Sequence, residues 1–131
     1  MKKIITFILT LSLASHLFGA TCEDEKIKET LLNFNANTPE RLPDSTVLTK
    51  VRCKDGSLEF AYDMENIGGI ELSKFSDKQI EVFKDMQKNL LKDVYCLSLS
   101  GLHDHTNSII LIYSLDEKKF MEFEFKKSDC K

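Results

Sequence analysis

Tryptophan is absent from this chain, and its 131 residues include only two prolines and five glycines. So few breakers exclude a collagen-like or proline-rich chain and leave room for regular elements. No basic excess exists either: 18 Lys and Arg stand against 21 Asp and Glu, a formal net charge of −3. Nucleic acid and anionic membrane surfaces both call for a basic face, so neither is an expected partner. The four cysteines form no Cys-x-x-Cys pair, which argues against a thioredoxin-like redox site and a zinc knuckle. Gly68-Gly69 lacks the Lys and helix start of a phosphate-cradling loop. Internal repeats and low-complexity stretches are missing, and past the start of the chain no apolar run is long enough to span a bilayer.

What is present begins with MKKIITFILTLSLASHLFGA. Lys2 and Lys3 precede an apolar run from Ile4 to about Leu13, and Gly19 and Ala20 follow. This is the layout of a secretory signal peptide over residues 1–20, cut after Ala20, and it sets a periplasmic expectation. Residues 21–131 then form a single domain with one modest core. Without Lys2 and Lys3, the 18 basic residues become 16 against 21 acidic, a net of −5. Thr21 stands where a lipoprotein signal wants Gly or Ala, which argues against acylation of Cys22.

Cys22, Cys53, Cys96 and Cys130 make an even set in a small exported domain, the usual signature of two disulfides. Three connectivities are possible. Cys22–Cys53 with Cys96–Cys130 is preferred, because each then ties a helix end to the end of a nearby strand.

The central element is FSDKQIEVFKDMQKNLLKDVYC, Phe75 to Cys96. Ser76 is a good N-cap, Gln79 completes a capping box, and Phe75 and Ile80 have the spacing of a hydrophobic staple. Ile80, Phe83, Met86, Leu90, Leu91 and Val94 recur at helical intervals and predict the buried stripe. A first helix is expected from about Glu23 to Asn35, capped by Thr21, with Ile27, Leu31 and Phe34 inward. Thr46–Cys53 and Ser57–Met64 flank Asp55-Gly56, a favoured hairpin turn. That turn pairs Cys53 with Leu58, Val51 with Phe60, Thr49 with Tyr62 and Val47 with Met64 on one face, and sets Arg52 opposite Glu59. Asn66-Ile67-Gly68-Gly69 reads as a loop. The segment after Cys96 is expected to be an irregular surface crossing. Ser108–Leu115 and Phe120–Lys126 form a second hairpin, where a three-residue loop would pair Tyr113 with Met121 and Leu111 with Phe123. Ile109–Leu115 carries no charge until Asp116, so it reads either as an exposed interaction strand or as a central strand covered on both faces. The expected fold is a two-layer α+β domain of order helix–hairpin–helix–hairpin (αββαββ), with about four antiparallel strands, helices on one face and two disulfides.

Candidate chemistry is sparse. His103-Asp104-His105 could present two imidazoles to Zn²⁺ or Cu²⁺ on an extended segment, although a third strong ligand is missing and His16 leaves with the signal peptide. Ser98 and Ser100 lie near those histidines in sequence but outside any Gly-x-Ser-x-Gly elbow. Glu59, Asp63 and Glu65 are the nearest carboxylate set for a cell-envelope hydrolase, and read more simply as the wet face of a hairpin. No catalytic residue and no cofactor is assigned.

Leu42-Pro43, Thr46-Val47-Leu48, Gly56, Phe60-Ala61-Tyr62, Cys96 and Asp129-Cys130 recur as a pattern that resembles a loosely defined group of small exported bacterial proteins. The resemblance spans most of residues 21–131. It implies a Cys96–Cys130 bridge and a periplasmic setting, with Cys22 and Cys53 as an addition to the pattern, and it carries no agreed activity. The resulting expectation is a stapled module that binds a protein partner in the cell envelope. Metal binding at His103 and His105 and envelope hydrolysis stand as alternatives.

Overall fold

The computed structural model describes residues 21–43, 45–65 and 71–130. The signal-like segment, His16 and the Asn66–Gly69 loop lie outside the described residues. Among the described residues two α-helices, α1 (Glu25–Asn35) and α2 (Asp77–Ser98), accompany β1 (Glu40–Arg41), β2 (Thr46–Lys54), β3 (Ser57–Met64), β4 (Ile109–Leu115) and β5 (Lys118–Phe125). The strands form one sheet in the order β1-β2-β3-β4-β5.

Two expectations about the sheet are corrected. It has five strands rather than four, because Glu40 and Arg41 pair with Leu48 and Val47 as a short edge. It is also mixed: β3 and β4 run parallel, with Leu58 opposite Ile109 and Tyr62 opposite Tyr113. The link between them carries α2, and a helical crossover returns the chain to the end of the sheet it started from. Only then can the second hairpin lie alongside the first with its strand in the same direction.

Each hairpin follows its turn chemistry. Asp55 and Gly56 both sit at positive φ, and Cys53 opposes Leu58, Val51 opposes Phe60 and Arg52 opposes Glu59. Beyond Lys50 the expected alternation fails. A bulge between Leu48 and Lys50 makes Leu48 the partner of Tyr62 and Thr46 the partner of Met64. Thr46 and Leu48 are buried while Val47 and Thr49 are not, since one extra residue exchanges the two faces of a strand. In the second hairpin Leu115 pairs with Lys118 across a two-residue turn, Asp116-Glu117. A bulge beside Tyr113 then restores the register of a three-residue loop, Tyr113 with Met121 and Leu111 with Phe123.

One sheet face collects the core. Leu48, Val51, Leu58, Phe60, Met64, Ile109, Leu111, Tyr113, Met121, Phe123 and Phe125 are buried there with Ile27 of α1 and Tyr95 of α2. Helix α1 packs on β2 and α2 on β5. Among the described residues β4 is therefore an interior strand covered by helices on one face only. Its Ile110 and Ile112 sit half-buried on the open face beside Glu59, Asp63, Glu122 and Glu124.

The cap of α1 is Asp24 rather than Thr21: its Oδ1 accepts from the N–H groups of Lys26 (2.8 Å) and Ile27 (3.4 Å). At the other end Asn35 pairs with both backbone groups of Val51, donating to its carbonyl at 2.7 Å and accepting from its N–H at 2.9 Å. This satisfies β2 beyond the reach of the short β1 and docks α1 on the sheet edge. Two disulfides, Cys22–Cys53 and Cys96–Cys130, tie the entry to α1 to the end of β2 and the last turns of α2 to the C-terminal segment.

The crossing after α2 is not a surface loop. Leu102, Thr106 and Ser108 are buried. The Asn107 N–H donates to the Gly56 carbonyl at 2.9 Å and its side-chain amide to the Asp55 carbonyl at 3.1 Å. Ser108 Oγ lies 2.8 Å from Ser57 Oγ and donates to Glu124 at 2.6 Å. The segment thus stitches the first hairpin turn to β5.

Candidate protein-binding face

Helix α2 is built as its sequence dictates at the start. Ser76 Oγ accepts from the Gln79 N–H at 3.2 Å, and Gln79 Oε1 accepts from the Ser76 N–H at 2.8 Å, a complete capping box. Phe75 meets Phe83 edge to face, and Phe83 meets Phe120 of β5 in the same way.

Its rotation about its axis differs from the expected stripe. The fully buried side chain is Tyr95, 1% exposed, which stacks on His103 at 4.2 Å and on Phe125 at 5.7 Å. Burial, and then the Asp129 carboxylate, raise the Tyr95 hydroxyl above the ordinary phenol range. Ile80, Phe83 and Leu91 are half-buried, whereas Met86 (59%), Leu90 (59%) and Val94 (48%), all expected inward, face outward with Val82 (52%) and Leu97 (78%). The apolar arc of α2 is wider than the line along which one sheet can touch it. The surplus forms a continuous outer flank on successive turns.

Beside that flank, Phe75, Lys78, Gln79, Val82, Phe83 and Met86 line an open apolar hollow of about 330 Å³. Lys78, Glu81, Asp85, Lys88 and Lys92 border the flank on its solvent side with both signs of charge, and Asp93 interrupts it. An apolar strip with a polar rim is the composition of a protein interface.

The histidines lie apart from this face and from each other's partners. His103 Nε2 donates to the Tyr95 carbonyl at 2.9 Å, so its ring is held flat on Tyr95. His105 Nδ1 lies 3.1 Å from Asp24 Oδ2, and this bond, ahead of the backbone N–H donors of Lys26 and Ile27, draws the Asp24 carboxyl below the usual carboxylate range. Asp104, between them, is paired with Lys127 at 2.7 Å, which lowers its own pKa. Among the described residues no three His, Cys, Asp or Glu side chains are grouped to hold a metal ion.

Neither serine joins these imidazoles. Ser98 ends α2 in solvent, and Ser100 Oγ donates back to the Leu97 carbonyl at 3.4 Å. Glu59 is held by Arg52, and Glu65 is clamped by Arg41 through two bonds of 2.6 and 2.9 Å, which lowers its pKa. Asp63 is exposed. The three carboxylates are thus partners of strand arginines or of solvent, spread along β3 and its end. Sequence reading assigned Met86, Leu90 and Val94 of this outer flank to the core and left Val82 and Leu97 unassigned. The signal for it was the breadth of the apolar arc, Val82 and Leu97 included.

No described protein family and no curated protein matches the chain. Among solved structures, the fold is similar to that of a protein from Pseudomonas aeruginosa described as a "putative secreted protein". The TM-score is 0.63 at 11% identity, over 86% of this chain and 100% of that one. At that identity the likeness is one of fold alone. No helix among the described residues is long and apolar enough to cross a membrane.

Proposed function

We infer that this is an exported, periplasmic, non-catalytic protein-binding module that uses the outer flank of α2 as its binding face. The signal-like start, the two disulfides and the secreted description of the structural neighbour support export. The observation that carries the binding reading is the row Val82, Met86, Leu90, Val94 and Leu97, each 48–78% exposed, on a helix fixed by a capping box at one end and a disulfide at the other. Rigid presentation lowers the entropy lost when such a row docks. The roles that fit are inhibitor, immunity or exclusion factor, or accessory to envelope assembly.

The test is a crosslinked pull-down of tagged protein from the envelope, run beside the double variant M86E/L90E. Both positions are exposed, so the variant keeps its helical circular dichroism. A partner that is captured by the wild type and lost from the variant is the expected result. Identical captures would sink this face as the binding surface.

A further inference from the structure

The two helices share the core face of the sheet unequally. Helix α1 packs on β2 and α2 on β5, and between α2 and the start of β2 they leave a cleft of about 300 Å³. Its floor is the sheet itself: Met64 of β3, Tyr113 of β4 and Met121 of β5, each 4–8% exposed. One wall is Phe83 and Gln87 of α2, and the other is Thr46 with Pro43 and Ser45 before it. The volume is at the lower end of small-ligand sites and equals about ten water-sized groups at roughly 30 Å³ each.

Two features of the lining give the class of ligand. Among the described residues no Asp, Glu, Lys, Arg or His side chain borders the cleft. A charged group would therefore enter without a counter-charge and lose its hydration. The second feature is Gln87. Phe83, Gln87, Leu91 and Tyr95 follow one another at four-residue steps along the sheet-facing line of α2, all half-buried or buried. Gln87 interrupts an otherwise aromatic and aliphatic line, and a helix that only closed the core would carry leucine there, as it does one turn later. Among the described residues the Gln87 amide makes no hydrogen bond, and it lines the cleft across from the Ser45 and Thr46 hydroxyls. Met64 and Met121 make the floor adaptable, because unbranched thioether side chains repack around different shapes. Tyr113, stacked on Tyr62 at 4.6 Å, is its rigid part.

We propose that this cleft binds a small uncharged amphiphile, with an apolar chain or ring for the floor and one hydroxyl or amide group for Gln87. The site is on the sheet side of α2, whereas the protein-binding face is on its outer side, so the inference does not rest on the binding reading above.

n-Hexanol is a probe of this class, with hexanoate and hexylammonium as charged counterparts of the same chain length. In the oxidised, exported protein, labelled with ¹³C at the methionine ε-methyl groups, hexanol should shift the Met64 and Met121 resonances along one saturating curve. The expected dissociation constant is about 1 mM for a ligand of this size. Met86, on the outer flank, should not follow that curve. Both ions should bind at least about tenfold more weakly. Gln87→Leu should weaken hexanol binding about three- to tenfold through the lost hydrogen bond, and Gln87→Phe, which fills the cleft, should abolish it. Position 87 is half-buried on a helix, so both variants should keep the wild-type circular dichroism. No saturation at Met64 and Met121 up to about 20 mM, the same curve at Met86, or undiminished binding by either variant would overturn the site. Equal binding of hexanoate would overturn the uncharged class.

Discussion

Replacing Tyr95 by alanine should unfold this domain far more readily than replacing Leu90, although both are large side chains on α2. Tyr95 is 1% exposed and holds two stacked rings, His103 and Phe125, so its removal opens an aromatic-sized cavity beneath the helix. Large aromatic-to-alanine changes in cores cost about 3–5 kcal/mol. Leu90 is 59% exposed. Its loss should stay within about 0.5 kcal/mol, partly offset by the better helix propensity of alanine. Urea unfolding followed by circular dichroism reads the difference. With an m-value of about 2 kcal/mol/M, a loss of 4 kcal/mol moves the midpoint by about 2 M. Equal losses would show that the helix is rotated otherwise than described, and the outer face would lose its basis.

Three further outcomes are expected. Removing either disulfide pair by Cys→Ala, with sequence separations of 31 and 34 residues, should cost about 4 kcal/mol in the chain-entropy account; calorimetry showing an unchanged melting temperature would contradict it. Glu117 sits at φ 66° in the β4–β5 turn, a conformation costing roughly 1–2 kcal/mol for most side chains but not for glycine. Glu117→Gly should thus raise the urea midpoint, and a lowered midpoint would mean that the side chain makes a contact worth more than the strain. The lowered Asp24 carboxyl contributes stability that is fully present above the ordinary carboxylate pKa of about 3.9 and is lost as pH falls through its lower folded value. An acid titration of Asp24→Asn should therefore be flatter than wild type below about pH 4; parallel curves would exclude Asp24 as a contributor.

How much of this was legible in the sequence depended on whether the deciding interaction was local. Asp55-Gly56 fixes the first hairpin because positive φ is needed at both positions, and the register near the turn follows to Lys50. The bulge beyond it is invisible, since Val47 with Thr49 and Leu48 with Thr46 are equally good β-formers and only the core chooses between them. The edge strand Glu40–Arg41 carries no strand signal at all, being two charged residues after a proline. The parallel pair had a signal, a crossover long enough to hold a 22-residue helix. Reading each hairpin as a separate antiparallel unit hid it. The capping box of α2 was legible to the atom, but the side of the helix that meets the sheet was not. Periodicity locates an apolar arc and says nothing of how much of it a single sheet can cover.

That surplus arc constrains the origin of the exposed face. A helix needing only to close this core could carry charges at Val82, Met86, Leu90 and Leu97, since none of the four is buried and all follow the same helical spacing as the wet positions Glu81, Asp85 and Lys92. Exposed apolar side chains scattered singly need no explanation, and Leu32 on α1, 74% exposed with no exposed large apolar neighbour on its own helix, is such a case. The α2 row is different because its members fall on consecutive turns of one helix. The anchoring of the helix points the same way. The bridge at Cys96 lies next to Leu97, and the capping box lies one turn before Val82, so each end of the row is close to a point where α2 is anchored. A face intended only to lie in solvent would gain nothing from that rigidity, whereas a docking face gains it directly as entropy already lost before the partner arrives.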